Sequence, residues 1–474
     1  MKRFLRIFLL LLIDVLAFYT ALFLAYITRK ILGKIFIKNV IFLFSFEYFL
    51  SFWWMPIVFV FFLWYQKLYT RRYTFWYEVE EIIKAVFLSG VFVFALLSLS
   101  KISLEMSRLA LILLCLYAIF TISILRYIGK KVLNRLGIWK SPIVIIGAGS
   151  SGKSVAKGII DDWYLGYEIK GFLDDFKSGF VEVKSIKIPI IGKVEKIKEL
   201  KEENIEAAVV SIPSLGNEEL AHLVNTTHRY IKQVFVVPDL KGIGLLNSEL
   251  YHIFTEQLFL IKITNNLDSK LNQTIKQTFD ILLSLIMLPI LLFVISIFAI
   301  LIKIDSEGPV FFVQERLGKN GKIFKCIKFR TMYVNNQEIL KNFLKENQDA
   351  QLEWQTFKKL KKYDPRVTRV GKFLRKTSLD ELPQIFNVLK GDMSLVGPRP
   401  YLPSEEKDMG DYKDYILLTK PGITGLWQVS GRNELSFEER LKLDTWYVLN
   451  WSLWFDIVII LKTIRVVFKK EGAY

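Results

Sequence analysis

Long apolar runs constrain this chain more than any other feature. Four of them precede residue 130, at about Phe4–Ile27, Phe49–Tyr65, Ile82–Leu99 and Leu109–Ile128. A helix needs roughly 20 apolar residues to cross the hydrocarbon core of a bilayer, and these runs approach that length. Over the whole chain 52% of the residues are hydrophobic. We therefore expect residues 1–138 to form a membrane α-helical bundle of four spans.

The charge balance indicates what kind of partner the chain has. A net charge of +18 arises from 64 Lys and Arg residues against 46 Asp and Glu residues. Such a balance favours anionic partners, and in so apolar a chain we expect the lipid bilayer and no nucleic acid. Basic residues before the first run and after the fourth favour a cytoplasmic location for both ends of the bundle, although the basic loop at residues 29–38 opposes it.

At residue 139 the composition becomes that of an α/β domain, which we expect to be cytoplasmic, Rossmann-like and to cover residues 139–262. The segment SPIVIIGAGSSGKSVAKGI reads as strand, glycine-rich turn and helix. Gly147, Gly149 and Gly152 form a GxGxxG pattern, and with Lys153 and Ser154 they also match a P-loop. Three interpretations stay open: a vestigial or regulatory nucleotide-type fold, a nucleotide or nucleotide-sugar site, and a catalytic site.

The C-terminal part holds four dense motifs in series. They are EGPVFFVQERLGKNGKIFKCIKFRTM, DPRVTRVGKFLRKTSLDELPQ, KGDMSLVGPRP and TKPGITGLWQVSGRN. Within the second motif Asp380 and Glu381 are adjacent acids among five cations, namely Arg366, Arg369, Lys372, Arg375 and Lys376. Cations hold a carboxylate ionised, and an ionised carboxylate can attack phosphorus. A structural alternative is a capping box formed by Ser378 and Glu381, or an N-cap at Asp380.

These motifs resemble the monotopic phosphoglycosyl transferase family over about residues 268–474. The resemblance implies a mixed α/β, mostly helical, monotopic catalytic domain that uses a UDP-hexose and undecaprenyl phosphate. It implies that Asp380 attacks the sugar-linked phosphate, that UMP leaves, and that a phosphosugar stays on Asp380 until the lipid phosphate takes it. Glu381 would assist and, together with Asp380, would hold Mg²⁺.

The resemblance also implies a binding site for the substrate phosphates and nucleotide. Lys328, Arg375 and Arg399 match family positions that line it, and we add Arg330 and Arg432 as further candidates. The four spans and α/β domain ahead of this part are similar to the large members of the family. Such members pair, so a homodimer is expected.

A fifth apolar run at residues 279–302 carries Pro289 in its middle. Twenty-four helical residues reach about 36 Å, enough to span a bilayer. A span would place the middle and C-terminal domains on opposite sides of the membrane. Pro289 disrupts a helix and Ser284 could bond a freed carbonyl, so we expect a re-entrant helix broken at these residues, as the family has.

The sequence thus predicts a membrane enzyme that starts the assembly of a surface polysaccharide such as O-antigen, capsule or exopolysaccharide. It would transfer galactose or glucose 1-phosphate in the bacterial inner membrane, with its catalytic domain on the cytoplasmic face. The alternatives are a membrane-bound nucleotide-sugar-modifying enzyme acting at Gly147–Gly152 and a non-enzymatic scaffold for polysaccharide export.

Overall fold

The computed structural model describes residues 2–36, 46–99, 108–201, 205–238, 240, 248–253, 258–357, 360, 363–431 and 435–469. The chain divides into two compact units, Met1–Leu240 and Lys241–Tyr474.

The first unit begins with a bundle of apolar helices. These are α1 (Lys2–Phe36), α2 (Phe46–Leu50), α3 (Met55–Tyr65), α4 (Phe75–Leu99) and α5 (Arg108–Arg135). Among the described residues of this bundle, α1, α4 and α5 are long and apolar enough to span a membrane. Their inner faces meet α3 in one apolar core that includes Phe18, Phe59 and Leu114, while many apolar side chains on their outer faces are exposed. This pattern is that of a bundle surrounded by lipid.

The second apolar run differs from the prediction of a single span. It forms α2 and α3, which are separated by a turn at residues 51–54. Pro56 lies in the first turn of α3, where its missing N–H costs no hydrogen bond, and so it favours a helix start at this point. The 11 residues of α3 extend only about 16 Å, less than the thickness of the hydrocarbon core.

A cluster of buried charges ties the bundle together. The Arg126 guanidinium donates to both carboxylate oxygens of Asp14 at 2.7 Å and to Glu78 Oε1 at 2.6 Å. Lys130 Nζ donates to Glu78 Oε2 at 2.5 Å and lies over the Tyr164 ring, 4.2 Å from its centroid. Two cations and two carboxylates balance each other, as charges in a low-dielectric interior must.

The α/β domain follows the bundle within the same unit. Its elements are β1 (Ser141–Ile146), α6 (Ser150–Asp161), β2 (Tyr167–Leu173), β3 (Phe180–Val183), β4 (Ile186–Gly192), β5 (Ala207–Val210), α7 (Asn217–Tyr230) and β6 (Gln233–Val236), with 3-10 segments at Trp163–Leu165 and Val194–Lys201. The strand order is β3-β4-β2-β1-β5-β6, and each neighbouring pair is parallel except β3 with β4. An α/β domain at this place is confirmed, and its Rossmann-like assignment stays a prediction.

The second unit starts before the predicted domain limit at residue 262. Strands β7 (Glu249–Ile253) and β8 (Leu258–Lys262) pair with each other instead of extending the six-stranded sheet. The remaining elements are α8 (Lys270–Asp305), β9 (Phe311–Leu317), β10 (Ile323–Phe329), α9 (Asn336–Glu346), α10 (Gln348–Phe357), α11 (Arg369–Thr377), α12 (Ile385–Lys390), β11 (Ser394–Val396), α13 (Tyr412–Ile416), β12 (Gly422–Thr424), α14 (Leu426–Val429), α15 (Phe437–Leu449) and α16 (Leu453–Lys469), with 3-10 helices at Lys319–Gly321, Leu379–Gln384 and Pro403–Met409.

Helix α8 runs without interruption through Pro289, so the break predicted at Ser284 and Pro289 is absent from this described helix. Proline removes one backbone hydrogen bond and displaces one carbonyl, which bends a helix more often than it ends it. In an apolar environment the neighbouring backbone groups have no other partners, and this favours continuation of the helix. Apolar side chains along the middle of α8 are exposed, for example Ile286, Ile290 and Phe293.

The Lys276 ammonium anchors the first turns of α8 in the second unit. Its Nζ donates to Asp456 Oδ2 at 2.6 Å and to the Val396 carbonyl at 3.0 Å. One turn later, Asp280 accepts hydrogen bonds from the Ser394 hydroxyl at 2.7 Å and the Leu395 N–H at 3.3 Å. These bonds fix β11 and α16 against the membrane helix.

The buried charge cluster yields a prediction with a matched control. Lys130→Met leaves Glu78 Oε2 buried without its cation, so we expect a loss of roughly 2–4 kcal/mol in the free energy of unfolding. Lys131→Met, in the neighbouring exposed position, is expected to change it by less than about 0.5 kcal/mol. Thermal unfolding of both variants in detergent measures the difference. Equal midpoints for the two variants would contradict this account of the cluster.

Candidate active site

Asp380 and Glu381 lie in a tight 3-10 turn between two helices. Helix α11 ends at Ser378, whose backbone has a φ of +58° in the left-handed region, and the 3-10 helix Leu379–Gln384 then leads into α12. A non-glycine residue in this region stores strain, and such strain is common where a side chain must be aimed at a site. The turn thus presents both carboxylates at the junction.

The β9–β10 hairpin faces this turn with its basic side. Its antiparallel register pairs Arg316 with Phe324 and Lys328 with Phe312, which places both cations on one face of the hairpin. Lys328 Nζ donates to Glu381 Oε1 at 2.8 Å. The predicted residues Lys328 and Glu381 are therefore in direct contact.

A buried amide holds the hairpin against the turn. Asn387 in α12 donates from Nδ2 to the Lys325 carbonyl at 2.7 Å and accepts the Ile327 N–H at its Oδ1 at 3.0 Å. Both bonds are to the backbone of β10, at three residues and at one residue before Lys328. Asn387 therefore sets the distance between the Lys328 ammonium and the acidic pair.

Opposing electrostatic effects act on Asp380. Burial and the neighbouring Glu381 carboxylate raise the pKa of Asp380 to about 6, while Lys328 and Arg375 counteract part of this increase. Burial disfavours the charged form of Lys328, but the contact with Glu381 outweighs it and raises the Lys328 pKa above its ordinary value. At neutral pH Asp380 is ionised but less stabilised than an exposed carboxylate, which favours nucleophilic attack.

Arg375 approaches Asp380 from α11. Its Nε donates to the Thr331 hydroxyl at 2.8 Å. The pKa of Arg375 is lowered by burial, an effect that Asp380 and Asp364 counteract. Gly371 allows α11 to lie this close, since a Cβ there would be 2.2 Å from the Thr331 carbonyl oxygen. The predicted site residue Arg375 thus shares its surroundings with the acidic pair.

Arg399 lies in the PRP loop after β11, with its guanidinium over the Trp427 ring and Nη2 3.7 Å from Glu405 Oε1. The fully buried Asp444 positions this loop, because its Oδ2 accepts the Arg399 N–H at 3.1 Å and the Tyr401 hydroxyl at 2.8 Å. Burial raises the Asp444 pKa to about 7 against the effect of these bonds.

Arg330 and Arg432, the two candidates added to those that match family positions, are not seen at the acidic pair in the described residues. Arg330 is buried and binds the end of α8, with Nη2 donating to the Ser306 carbonyl at 2.8 Å and Nη1 donating to the Glu307 carbonyl. These contacts are with protein groups, so its role in binding substrate stays a prediction. Arg432 lies outside the described residues.

The capping-box alternative for Glu381 does not match the contacts, and an N-cap role of Asp380 stays open. A capping box requires the Glu381 carboxylate to bind the Ser378 backbone, but this carboxylate binds Lys328. The turn that contains Asp380 carries no side-chain cap hydrogen bond at Ser378 in the described chain. The pair is thus available for chemistry.

The residue set suits a hard divalent cation. Within the described ranges no group of three or more His, Cys, Asp or Glu side chains could hold a metal by itself. Mg²⁺ commonly uses only one or two carboxylates and completes its shell with water and substrate phosphates. Asp380 and Glu381 supply that many, and both are oxygen donors.

The glycine-rich loop of the first unit is partly engaged by its own chain. Asp174 Oδ2 accepts the Ala148 N–H at 2.8 Å, inside the GxGxxG segment. A Cβ at Gly152 would lie 2.0 Å from the Gly147 carbonyl oxygen, so Gly152 is needed for packing of α6 on β1. Gly149 has open space around it, and a cavity of about 290 Å³ remains beside the loop. Nucleotide binding at Gly147, Gly149 and Gly152 stays a prediction.

Sequence reasoning missed Arg316, Asn387 and Asp444. Arg316 is half-buried in β9 and donates from Nη1 to the Pro400 carbonyl at 3.0 Å, so it links the hairpin to the loop of Arg399. A signal existed for Asn387, since it is the one amide in the apolar segment IFNVL. A polar residue in such a segment indicates a buried hydrogen bond.

Comparisons with known proteins agree with the motif order. A family model described as bacterial sugar transferase matches residues 271–470, and one described as CoA-binding domain matches residues 64–238. The undecaprenyl-phosphate galactose phosphotransferase of Salmonella typhimurium is 38% identical over 86% of this chain and 84% of its own length. The UDP-galactose-lipid carrier transferase of Erwinia amylovora is 37% identical over the same shares.

A third relative carries a different sugar in its name. The UDP-glucose:undecaprenyl-phosphate glucose-1-phosphate transferase of Escherichia coli is 32% identical over 73% of this chain and 72% of its own length. Identity of this extent covers both units of the chain.

The raised pKa of Asp380 predicts a gain in stability when its charge is removed. The folded chain binds this proton more tightly than the unfolded chain, so the stabilisation is full below the ordinary pKa of 3.8 and is lost as the pH rises through about 6. The two values differ by about two pH units, or roughly 3 kcal/mol. Asp380→Asn is therefore expected to unfold at higher temperature than the unchanged protein above pH 6, with the gain vanishing in acid. A gain independent of pH would contradict the assignment.

Proposed function

This chain belongs to the bacterial sugar transferase family, and on that premise we propose that it transfers hexose 1-phosphate from a UDP-sugar to undecaprenyl phosphate. The sugar is galactose or glucose, and UMP is the second product. The observation that carries the proposal is the Asp380–Glu381 pair, in which Glu381 binds Lys328 and the charges of Lys328 and Arg375 act on the Asp380 carboxylate. It places a reactive carboxylate beside cations that suit a diphosphate.

The reaction proceeds in two displacements at the same phosphorus. A carboxylate oxygen of Asp380 forms a bond to the sugar-linked phosphorus, and the bond from this phosphorus to the bridging oxygen breaks, so that UMP leaves with the electron pair. An oxygen of undecaprenyl phosphate then attacks the acyl phosphate and releases the Asp380 carboxylate. The product is undecaprenyl diphosphate hexose, and Asp380 returns to its starting state.

Each cation has a distinct task in these steps. Lys328 holds Glu381 and lowers the pKa of Asp380, so Asp380 stays ionised near neutral pH. Arg375 offsets the charge that develops on the transferred phosphoryl group, and Arg399 binds the nucleotide phosphate. Mg²⁺, held by Asp380 and Glu381 when bound, would neutralise charge on the diphosphate.

The membrane placement follows from both ends of α8 binding the same unit. Near its start Lys276 binds Asp456, and at its end Asp305 accepts the Val370 N–H at 3.0 Å. A helix whose two ends bind one domain suits entry and exit at a single face of the bilayer. Proline commonly kinks a helix, so a kink at Pro289 within the bilayer would allow this, and the exposed apolar middle would lie in lipid. The active site then lies at the cytoplasmic face of the bacterial inner membrane, and UDP-sugars are found in the cytoplasm.

In the cell this reaction is the first membrane step of O-antigen, capsule or exopolysaccharide synthesis. A lipid-linked monosaccharide phosphate is the acceptor on which later sugars are added. We further propose a homodimer, as in the large members that the chain resembles.

An assay of the released nucleotide tests the proposal. Purified protein with Mg²⁺, undecaprenyl phosphate and a panel of UDP-hexoses is expected to release UMP, and Asp380→Asn is expected to lose this activity because no nucleophile remains. The rate should fall as the pH drops below about 6, since protonation removes the nucleophile. Release of UDP instead of UMP would contradict the proposed chemistry, as would full activity in Asp380→Asn.

Lys328 has a matched control on the opposite face of the same strand. Lys328→Met is expected to lose roughly a hundredfold in rate, since a positioned cation at a phosphate contributes about this much. The acid limb of its pH profile should also move to higher pH. Lys325→Met changes an exposed side chain and should leave both unchanged.

Labelling with an impermeant maleimide tests the placement of α8. In a Cys115→Ser background, where the other native cysteine, Cys326, is buried, cysteines introduced one at a time as Lys270→Cys and Lys303→Cys stand at the two exposed ends of the helix. We expect both to be labelled from the same side of sealed membrane vesicles. Lys131→Cys, at the end of α5, reports vesicle orientation. Labelling of the two α8 positions from opposite sides would mean that the helix spans the bilayer.

A further inference from the structure

A basic cavity of about 890 Å³ lies in the first unit, between the membrane bundle and the α/β domain. Its lining comes from the start of α1, the segment before α4, and the edge of the sheet at β6. Arg6, Arg71, Arg72 and Lys232 line it, and the carboxylate among its described lining residues is that of Glu206. The cavity therefore carries a clear excess of positive charge.

Arg6 lines this cavity, and one of its side-chain nitrogens has no hydrogen-bond acceptor among the described residues. Its side chain is only 7% exposed, and Nη2 donates to the two oxygens of Glu206 at 2.9 and 3.0 Å. The other terminal nitrogen, Nη1, is buried and has no hydrogen-bond partner in the described chain. A buried guanidinium N–H without an acceptor is costly, so this atom favours an acceptor from outside the protein. Glu206 is engaged further by the Ser141 hydroxyl at 2.5 Å.

Arg72 adds a second cation in a fixed orientation. Its Nη1 donates to the Leu165 carbonyl at 2.7 Å, and its guanidinium lies over the Trp139 and Tyr167 rings, 4.7 and 5.3 Å from their centroids. Burial and the charge of Arg6 lower the Arg72 pKa to about 10. Two guanidinium groups that repel each other in a partly closed space would both be stabilised by an anion.

The position and the volume of the cavity indicate which class of anion it can bind. Arg6 and the apolar residues Ile7 and Leu10 belong to the first turns of a helix that can span the membrane. The cavity thus lies at the level where a bilayer surface meets water. Its volume is that of a site for an organic molecule, larger than a single inorganic ion needs.

We propose that this cavity is an accessory binding site for the phosphate group of an organic anion, which the guanidinium groups of Arg6 and Arg72 recognise together. Phosphate oxygens match a guanidinium in geometry and charge. The phosphate can come from the head group of a membrane phospholipid or from a soluble phosphate ester. The site lies in the first unit, shares no residue with the Asp380 site, and does not depend on the proposed transfer reaction.

The test compares variants of the full-length protein with two probes. In one arm, native mass spectrometry measures phosphatidylglycerol retained after purification from vesicles that contain phosphatidylglycerol and phosphatidylcholine. In the other arm, calorimetry measures binding of inorganic phosphate to the protein in detergent. Arg6→Lys keeps a cation for Glu206 but removes the second terminal nitrogen, so we expect binding to weaken roughly tenfold.

Two further variants keep the result interpretable. Lys232→Gln, at an exposed lining position, is expected to weaken binding several-fold with an unchanged fold, whereas Lys187→Gln removes an equal charge outside the cavity and should have no effect. Selective loss of phosphatidylglycerol supports a lipid ligand, and selective loss of phosphate binding alone supports a soluble ester. Binding that is the same in Arg6→Lys, Lys232→Gln and Lys187→Gln in both arms would overturn the proposal.

Discussion

The second unit depends on the neutralisation of one buried ammonium, that of Lys276. It lies in the first turns of α8 and is satisfied by Asp456, the Val396 carbonyl and the Tyr447 hydroxyl together. Breaking such a pair leaves an uncompensated buried charge, so the elements that carry these partners must assemble with α8 or not at all. Val396 is followed directly by the loop of Arg399, and the same contacts therefore set the position of this loop relative to α8.

The reactivity of Asp380 arises from a balance and not from a single neighbour. Full exposure would leave an ordinary, weakly nucleophilic carboxylate, and burial without cations would keep it protonated at neutral pH. Lys328 and Arg375 restore part of the charge stability that burial and Glu381 remove. The hydrogen bonds of Asn387 to β10 and of Arg375 to Thr331 keep this balance constant, because they fix where the two cations stand. This balance therefore costs folding stability at neutral pH, and the cost suits the nucleophilic role proposed for Asp380.

The sequence reveals which charged residues form the site, but it does not reveal the long-range contacts that hold them in place. Asp380, Glu381, Lys328 and Arg375 belong to short motifs whose residue types reveal a charged site, and the structure brings them together. Contacts between distant segments leave no such local pattern, which is why Arg316 and the clamp of Asn387 were missed. The helix break predicted at Pro289 was wrong because a local rule was applied to a helix in apolar surroundings. There the backbone groups of α8 can form hydrogen bonds only with each other, which favours continuation of the helix through the proline.

The α/β domain has a structural role that is independent of any ligand, because its side chains contact charged residues of the helix bundle. Its glycine-rich loop is occupied by the Asp174 carboxylate, which takes an N–H that a bound phosphate would need. The same domain provides Trp139 and Tyr164, whose rings cover Lys130 of the membrane bundle, and Glu206, which holds Arg6. Removing the domain would take away the rings that cover Lys130 and the carboxylate that pairs with Arg6. The charged residues of the bundle thus require the domain as a neighbour, whether or not its loop binds a nucleotide.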